Sequence, residues 1–251
     1  TFSNDARESY ERMINLVNKA EEYLQNKNAT RTAIAEGKPS VLELALIRRN
    51  VSEIRGLPII AQCDRSPEAV GYSNLPDLPS FAAQGPLTPD HSIFAKRIPA
   101  ILDGDPLEAL DSYATDYRAY FERNASEGLT CLDQAPRWAI WPGHGILSFG
   151  LNAKNASVIG DIAINTSQVV QMSQALGGWA PLSESDVFEV EYWELEQAKL
   201  KSNKGSAPLE GKIALVTQAA SKLGVTSVHA LLAQGAAVIA LDRDPKIVSA
   251  F

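Results

Sequence analysis

The amino-acid sequence predicts an α/β protein, and three observations carry the prediction. Four long stretches, near 6–26, 40–54, 106–123 and 153–176, place apolar residues at helical spacing. Short apolar runs at 55–64 and 137–149 lie between them and read as strands. The stretch 212–251 runs strand, turn, helix, strand within about thirty residues, the pattern of one βαβ unit.

The first helix puts Tyr10, Met13, Ile14, Val17, Ala20 and Leu24 on one face, with Asp5 placed to cap it. The second, over 40–54, is expected to turn Leu42, Leu44, Ala45 and Ile47 inward and to carry Arg48–Arg49 toward its C-terminal end, where cations suit the helix dipole. Leu57, Ile59 and Ile60 then mark a short buried strand. Residues 71–90, rich in Pro, Gly, Ser and Asn, read as an irregular connection. Pro106 opens the third helix, along which Tyr113, Tyr117, Tyr120 and Phe121 read as core rather than as a ligand box. RWAIWPGHGILSF (137–149) reads as strand, Gly-rich turn, strand, and the helix after it stops at Gly177–Gly178. FEVEYWELEQAKLK (188–201) reads as helix, with the acids of 184–196 on a solvated face; 202–211 has linker composition.

At 251 residues the chain can build one large or two modest domains, and an apolar fraction of 45% suffices for a core. The net charge of −7 argues against a nucleic-acid surface, which needs clustered cations. No apolar run approaches the ~18 residues of a membrane span. The charged first twenty residues do not resemble a secretory signal. Cys63 and Cys131, far apart and without a C-x-x-C pattern, suit free thiols in a reducing cytoplasm. The N-x-S/T triplets beginning at Asn28, Asn50, Asn124, Asn155 and Asn165 are then read as chance.

The βαβ stretch resembles the start of a short-chain dehydrogenase. There a first strand leads into T-G-x-x-x-G-x-G, whose glycines let backbone amides approach a dinucleotide pyrophosphate. Here Thr217, Ser221 and Gly224 match, while Gln218 and Lys222 stand where that family has its first two glycines. Asp242, ending the second strand, matches the acid that holds the adenosine ribose and favours NAD. A Rossmann-type unit that binds nothing is the competing reading, and the chain reaches Phe251 before any Y-x-x-x-K pair.

Residues 1–200 are similar to bacterial bifunctional rhamnulose-1-phosphate aldolase/lactaldehyde dehydrogenase proteins. The resemblance rests on Thr88-Pro89-Asp90-His91 with Lys96 shortly after, Ala135-Pro136-Arg137, Pro142-Gly143 and Leu176-Gly177-Gly178. It rests above all on DVFEVEYWELEQAKL from Asp186 to Leu200, followed by APLEGKIALVT. It implies a class II aldolase-like α/β/α region over 1–201, a linker over 202–211 and an incomplete Rossmann-type domain over 212–251. It also implies a divalent metal, usually zinc, held by three histidines that the family pattern puts ahead of Thr1. Laying SFGLNAKNA from Ser148 on TFSNDARES from Thr1 suggests a second aldolase-like half-unit from about 135, entered through His144-Gly145. Chance likeness of two strand–turn–helix entries is the competing reading.

Metal chemistry needs three or four converging ligands, and His91, His144 and His229 show no H-x-H or H-E-x-x-H spacing. His229 reads as structural and His144 as a turn residue. His91 and Lys96 are the catalytic candidates, because a histidine beside the Lys96–Arg97 cations could hold a sugar phosphate and move a proton. An Asp90-capped helix containing His91 is the plainer alternative. The function implied for the whole protein is cleavage of a ketose 1-phosphate, then oxidation of the aldehyde product with NAD. Sugar-phosphate and aldehyde substrates and a homo-oligomer are expected, and this chain alone is expected to be inactive. The rival from another class is an adducin-like assembly module that carries a degenerate Rossmann unit.

Overall fold

Strand pairing across the Gly-rich turn organises the molecule, whose computed structural model describes residues 2–29, 35, 40–201 and 207–251. β3 (Trp138–Trp141) and β4 (Gly145–Gly150) form an antiparallel hairpin with Trp138 opposite Ser148 and Trp141 opposite Gly145. β1 (Ile60–Asp64) runs antiparallel to the other side of β4, and the two-residue β2 (Ala100–Ile101) runs parallel to β3. The order is β1-β4-β3-β2.

Every residue of β3 and β4 is buried, so helices cover both faces of the sheet. The period-2 alternation sorts the side chains. Ala139, Trp141, Leu147 and Phe149 enter one core with Ile47 and Val51 of α2 (Val41–Arg55) and Leu110, Tyr113, Tyr117 and Tyr120 of α6 (Pro106–Asn124). Trp138, Ile140 and Ile146 enter a second core. There they meet Tyr72 of α3 (Pro67–Ser73), Leu78 of α4 (Leu78–Ala82) and Ile159 and Ala163 of α7 (Ala153–Ala175). Burying each large aliphatic residue contributes roughly 1.5–3 kcal/mol. Two glycines make the close approaches possible. A Cβ on Gly145 would stand 2.0 Å from the Asp64 carbonyl oxygen, and one on Gly150 would stand 2.2 Å from the Ala156 amide nitrogen.

The sequence expectations hold for the long helices but need correction in detail. α1 (Ala6–Asn26) forms and Asp5 caps it, accepting from the Arg7 amide at 2.9 Å. None of its residues is buried, however, and Tyr10 and Val17 are 61% and 48% exposed. In α2 the covered residues are Leu44, Ile47, Val51 and Ile54, one turn further along than expected; Leu42 and Ala45 face outward. Three short helices occupy the stretch read as irregular: α3, α4 and α5 (Pro89–Ala95), each with a proline in its first turn. The helix expected at 188–201 is two, α8 (Glu184–Glu191) and α9 (Glu194–Lys201), broken where Tyr192 turns inward.

The comparison of the Thr1 and Ser148 stretches places Asp5 on Asn152, and both are N-caps one residue ahead of a long helix. β5 (Ile213–Thr217) and β6 (Ala237–Leu241) pair in parallel through α10 (Lys222–Ala233), and α11 (Ile247–Ala250) follows. Of the expected linker, 202–206 lies outside the described residues. Residues 207–211 form turns against the end of α10, with the Leu209 amide donating to the Gln234 carbonyl at 2.9 Å.

α10 covers only one face of the β5–β6 pair. On the other, Ile213, Leu215, Ile239 and Leu241 are 47–62% exposed. Two strands with one open apolar face are marginal by themselves. Amides of 213–217 and 237–241 should therefore exchange with deuterium about 100-fold faster, or more, than those of β3 and β4. Equal protection in the two sheets, measured by exchange mass spectrometry, would refute this.

Candidate functional site

Charged groups converge where α5, α6, α8 and the loop 131–137 meet. Lys96 follows α5 with φ 61° and ψ 176°, a conformation close to glycine-only and worth roughly 1–3 kcal/mol of strain. That turn sends the side chain inward. Its ammonium lies 3.4 Å from the centre of the Tyr117 ring and donates to the Asp133 carbonyl, leaving Lys96 3% exposed. Arg137 grips the Asp133 carboxylate through two bonds, at 2.7 and 2.6 Å, and donates to the Ala135 carbonyl at 3.0 Å. Glu191, 1% exposed, accepts from the Tyr117 and Tyr120 hydroxyls at 2.8 and 3.0 Å. Tyr117 and Tyr192 share a hydroxyl contact at 2.9 Å, and the Leu132 amide donates to Tyr192 at 3.3 Å. Arg55 completes the group, with a buried Nη1 that has no partner among the described residues.

Burial governs the protonation of these groups. It pushes the Lys96 ammonium well below its usual value, aided by Arg137 and opposed by Asp133 and Glu191. It pushes the Glu191 carboxyl up, against the pull of Tyr117, Lys96 and Tyr120. It brings Arg55 down to about 10, with Arg137 adding repulsion. For Asp133 burial acts upward too, but the Arg137 hydrogen bonds and charge outweigh it and hold the carboxyl far below its usual range. The space beside the cluster, lined by Arg97, Tyr113, Tyr117 and Tyr120, holds about 50 Å³. That is room for water, not for a sugar phosphate.

The expected grouping of His91 with two cations is not what forms. Lys96 is committed to Asp133 and Tyr117, while Arg97 lies 3.6 Å from Glu184 and over the Tyr120 ring. His91 occupies the first turn of α5, which Thr88 caps, not Asp90. Burial lowers its basicity, and its Nδ1 is buried without a partner among the described residues. His144 stacks on Trp141 at 3.8 Å, and His229 packs near Phe251. Among the described residues no three of His, Cys, Asp and Glu come together in a way that could hold a metal ion. The residues present do not fit the divalent metal that the resemblance implies. The acids read as a solvated face need correction as well: Glu191 shares the buried side of α8 with Val187 and Phe188, and Glu184 takes Arg97 and Arg123. The i, i+3, i+4, i+7 pattern of Glu184, Val187, Phe188 and Glu191 is the signal that could have found it.

The structure does bring Thr217, Ser221, Gly224 and Asp242 to one loop, between β5 and α10 and at the end of β6. Ser221 caps α10, its hydroxyl accepting from the Gly224 amide at 3.0 Å. Gly224 packs so close that a Cβ would stand 2.3 Å from the Gln218 carbonyl oxygen. Gln218 adopts φ 53°, the left-handed turn for which the resembling family uses glycine. The Asp242 carboxylate accepts from the Asp244 amide at 3.0 Å and the Ala220 amide at 2.9 Å, bonds that lower its pKa. A loop amide and the acid meant for the ribose thus bind each other, with side chains at Gln218 and Lys222 beside them. This arrangement does not fit a dinucleotide.

A mixed sheet with helices on both faces and a buried ion cluster, followed by a parallel βαβ unit, defines the class. Residues 39–200 match the family described as "Aldolase class II, second domain", and the chain belongs to that family. It is also 26% identical, over 96% of its own length, to a Bacillus subtilis (strain 168) protein named "Uncharacterized oxidoreductase YuxG". The alignment covers 38% of that protein, so the chain spans well under half of its relative's length. No solved structure matches the chain significantly. No helix among the described residues is long and apolar enough to cross a membrane.

Asp133→Asn removes the charge that compensates buried Arg137 and should lower stability by about 3–5 kcal/mol at neutral pH. Glu191→Gln keeps an acceptor for one tyrosine hydroxyl and offers a donor to the other, which can rotate to accept, where burial already disfavours charge; it should change stability by less than about 2 kcal/mol. The folded-state pKa of Asp133 lies below its usual 3.8. Its contribution is therefore complete above that value and is lost as pH falls through the folded pKa. Urea unfolding of the wild type at about pH 7 and pH 3 should show this acid loss, and Asp133→Asn should lack that component. An Asp133→Asn protein as stable as wild type would remove the cluster's structural role. For the βαβ loop, titration calorimetry should detect no micromolar NAD complex; a clear micromolar isotherm would show that the loop opens.

Proposed function

We propose that this chain is a non-ligating second lobe of a class II aldolase-family protein, joined to a dinucleotide-type βαβ unit. In the whole protein it would stand beside a metal-dependent ketose-1-phosphate aldolase centre and an oxidoreductase that takes NAD only if the βαβ loop opens from the closed form seen here. The observation that carries this reading is the ion cluster. The charged groups that converge there are largely buried and engaged within the cluster; among the described residues no ligand set for a metal forms, and the space beside the cluster holds about 50 Å³. The lobe's task on this reading is to shape and support. Its family membership and the name of the longer relative favour the aldolase and oxidoreductase parts. Sugar-phosphate and aldehyde substrates, and a homo-oligomeric whole protein, belong to the same proposal.

A non-catalytic assembly module is the second reading. The direct Asp242–Ala220 bond favours it, because a βαβ loop closed on itself has no evident role in cofactor binding.

Elemental analysis separates these readings from direct metal chemistry. The purified chain should carry well under one equivalent of zinc, and aldolase assays on a ketose 1-phosphate should show no turnover. One equivalent of metal that disappears in His91→Ala or His144→Ala would overturn the proposal. A longer protein containing this lobe, if it cleaves the sugar phosphate, should retain its metal in both histidine variants.

A further inference from the structure

A cleft of about 470 Å³ lies between the α3–α4 connection and the C-terminal turns of α7, separate from the ion cluster and from the βαβ loop. Its size is that of a small-ligand site. Asn28, Asp77, Gln171 and Gln174 supply its main polar groups, and Phe81 supplies an aromatic surface.

Asn28, Asp77 and Gln174 are exposed and Gln171 is half-buried, so their polar groups face solvent in the cleft. Asp77 precedes α4, where an aspartate ordinarily accepts from the helix amides, yet its backbone sits at φ 60° and its side chain makes no capping bond. Asn28 stands at φ 53° after α1. Two of the four non-glycine positive-φ residues described thus lie in the wall of one cleft. Asp and Asn bear that conformation at the lowest cost among side-chain residues, and such positions concentrate at binding sites. The Asp77 carboxylate and the Asn28 and Gln174 carboxamides make no hydrogen bond to other described residues. Gln171 donates to the Ser167 carbonyl at 3.2 Å, which leaves its oxygen available. The Phe81 ring is fixed from behind by fully buried Tyr72, 6.4 Å away and tilted by 59°.

The chemistry of this set is selective. A carboxamide offers a donor and an acceptor together, matching a hydroxyl group, which is also both. A carboxylate accepts from two hydroxyls at once, and a phenyl face takes the C–H side of a ring. Among the described residues that line the cleft, Asp77 is the one ionisable side chain and none is a cation, so an anionic ligand would meet repulsion from it. We propose that this cleft binds a neutral polyhydroxylated molecule of monosaccharide size, with Asp77 and the two glutamines gripping hydroxyls and Phe81 carrying the apolar face.

Saturation-transfer NMR on the intact chain tests this with D-glucose, D-galactose and D-mannose as neutral probes and gluconate as the anionic one. At least one hexose should give saturable transfer with a millimolar dissociation constant, and gluconate should bind more weakly. Asp77→Gly should weaken binding about tenfold or more, the loss of a charge-assisted bond. It should leave the thermal midpoint unchanged or raised, since glycine takes φ 60° without strain. Gln174→Ala, on an exposed helix position that favours alanine, should weaken binding without unfolding the chain. Absence of saturable transfer from all three hexoses, wild-type binding in folded Asp77→Gly, or tighter binding of gluconate than of every hexose would each overturn the proposal.

Discussion

Enclosing Lys96, Arg55 and Arg137 beside Asp133 and Glu191, the counter-charges found among the described residues, is the constraint on which the main lobe depends. Taking an ion out of water costs several kcal/mol even after relaxation, and the attraction between ions offsets this only when the geometry is good and the remaining donors and acceptors are bonded. Each neighbouring element supplies part of that geometry. α6 brings the Tyr117 ring and the tyrosine hydroxyls, the loop 131–137 brings the Asp133–Arg137 pair, and α8 brings Glu191. The strained Lys96 backbone fits the same picture, because a conformation so unfavourable persists only where its surroundings leave no alternative. The break between α8 and α9 belongs here too. It lets Tyr192 turn its hydroxyl to Tyr117 instead of continuing along a solvated helix.

Much of the scaffold was legible in the sequence because local signals and burial agree there. Asp5 and Pro106 mark helix starts, Gly177–Gly178 marks an end, and the turn around Gly143 joins two strands whose alternation sends side chains to two cores. The failures share a cause: periodicity gives the shape of an element but not which side is covered. In α1 a sound amphipathic pattern meets no covering layer, and in α2 the covered stripe is shifted by a turn. The candidate site was less legible. The sequence marks Lys96 as a candidate to hold a sugar phosphate beside His91, and a lysine in a Pro-rich stretch gives no hint that a positive-φ turn will bury it. Its partners Asp133 and Glu191 are distant in sequence, and although Glu191 lies in the DVFEVEYWELEQAKL stretch, that stretch holds several acids and does not point to Lys96. In contrast, Thr217, Ser221, Gly224 and Asp242 lie near one loop, a nearness that short βαβ connections make readable from sequence.

The two parts of the chain differ in how much each depends on what surrounds it. The four-stranded sheet has helices on both faces and fills its interior with its own residues. β5 and β6 leave one face open, so their order rests on α10 and on the turns at 207–211. Those turns are tied to the main lobe by Arg48, which donates to the Ile59 carbonyl at 2.7 Å and the Gly211 carbonyl at 3.0 Å. Among the described residues Arg48 binds two carbonyls and no carboxylate, and burial lowers its pKa.

Asn152 closes the same junction from the other side. Its Oδ1 caps α7 by accepting from the Asn155 amide at 2.9 Å, while its Nδ2 donates to the Glu210 carboxylate at 2.8 Å. One side chain therefore serves the start of the helix that packs on β4 and the turn that leads into β5. Swinging the βαβ unit away would break the Glu210 and Gly211 bonds together and loosen the residue that caps α7. An N-cap is worth about 1 kcal/mol and a charge-assisted bond somewhat more. Each contribution is small, but they act on one short segment and must fail together. That coupling gives the βαβ unit a defined place beside the lobe even though most of its own apolar surface is uncovered.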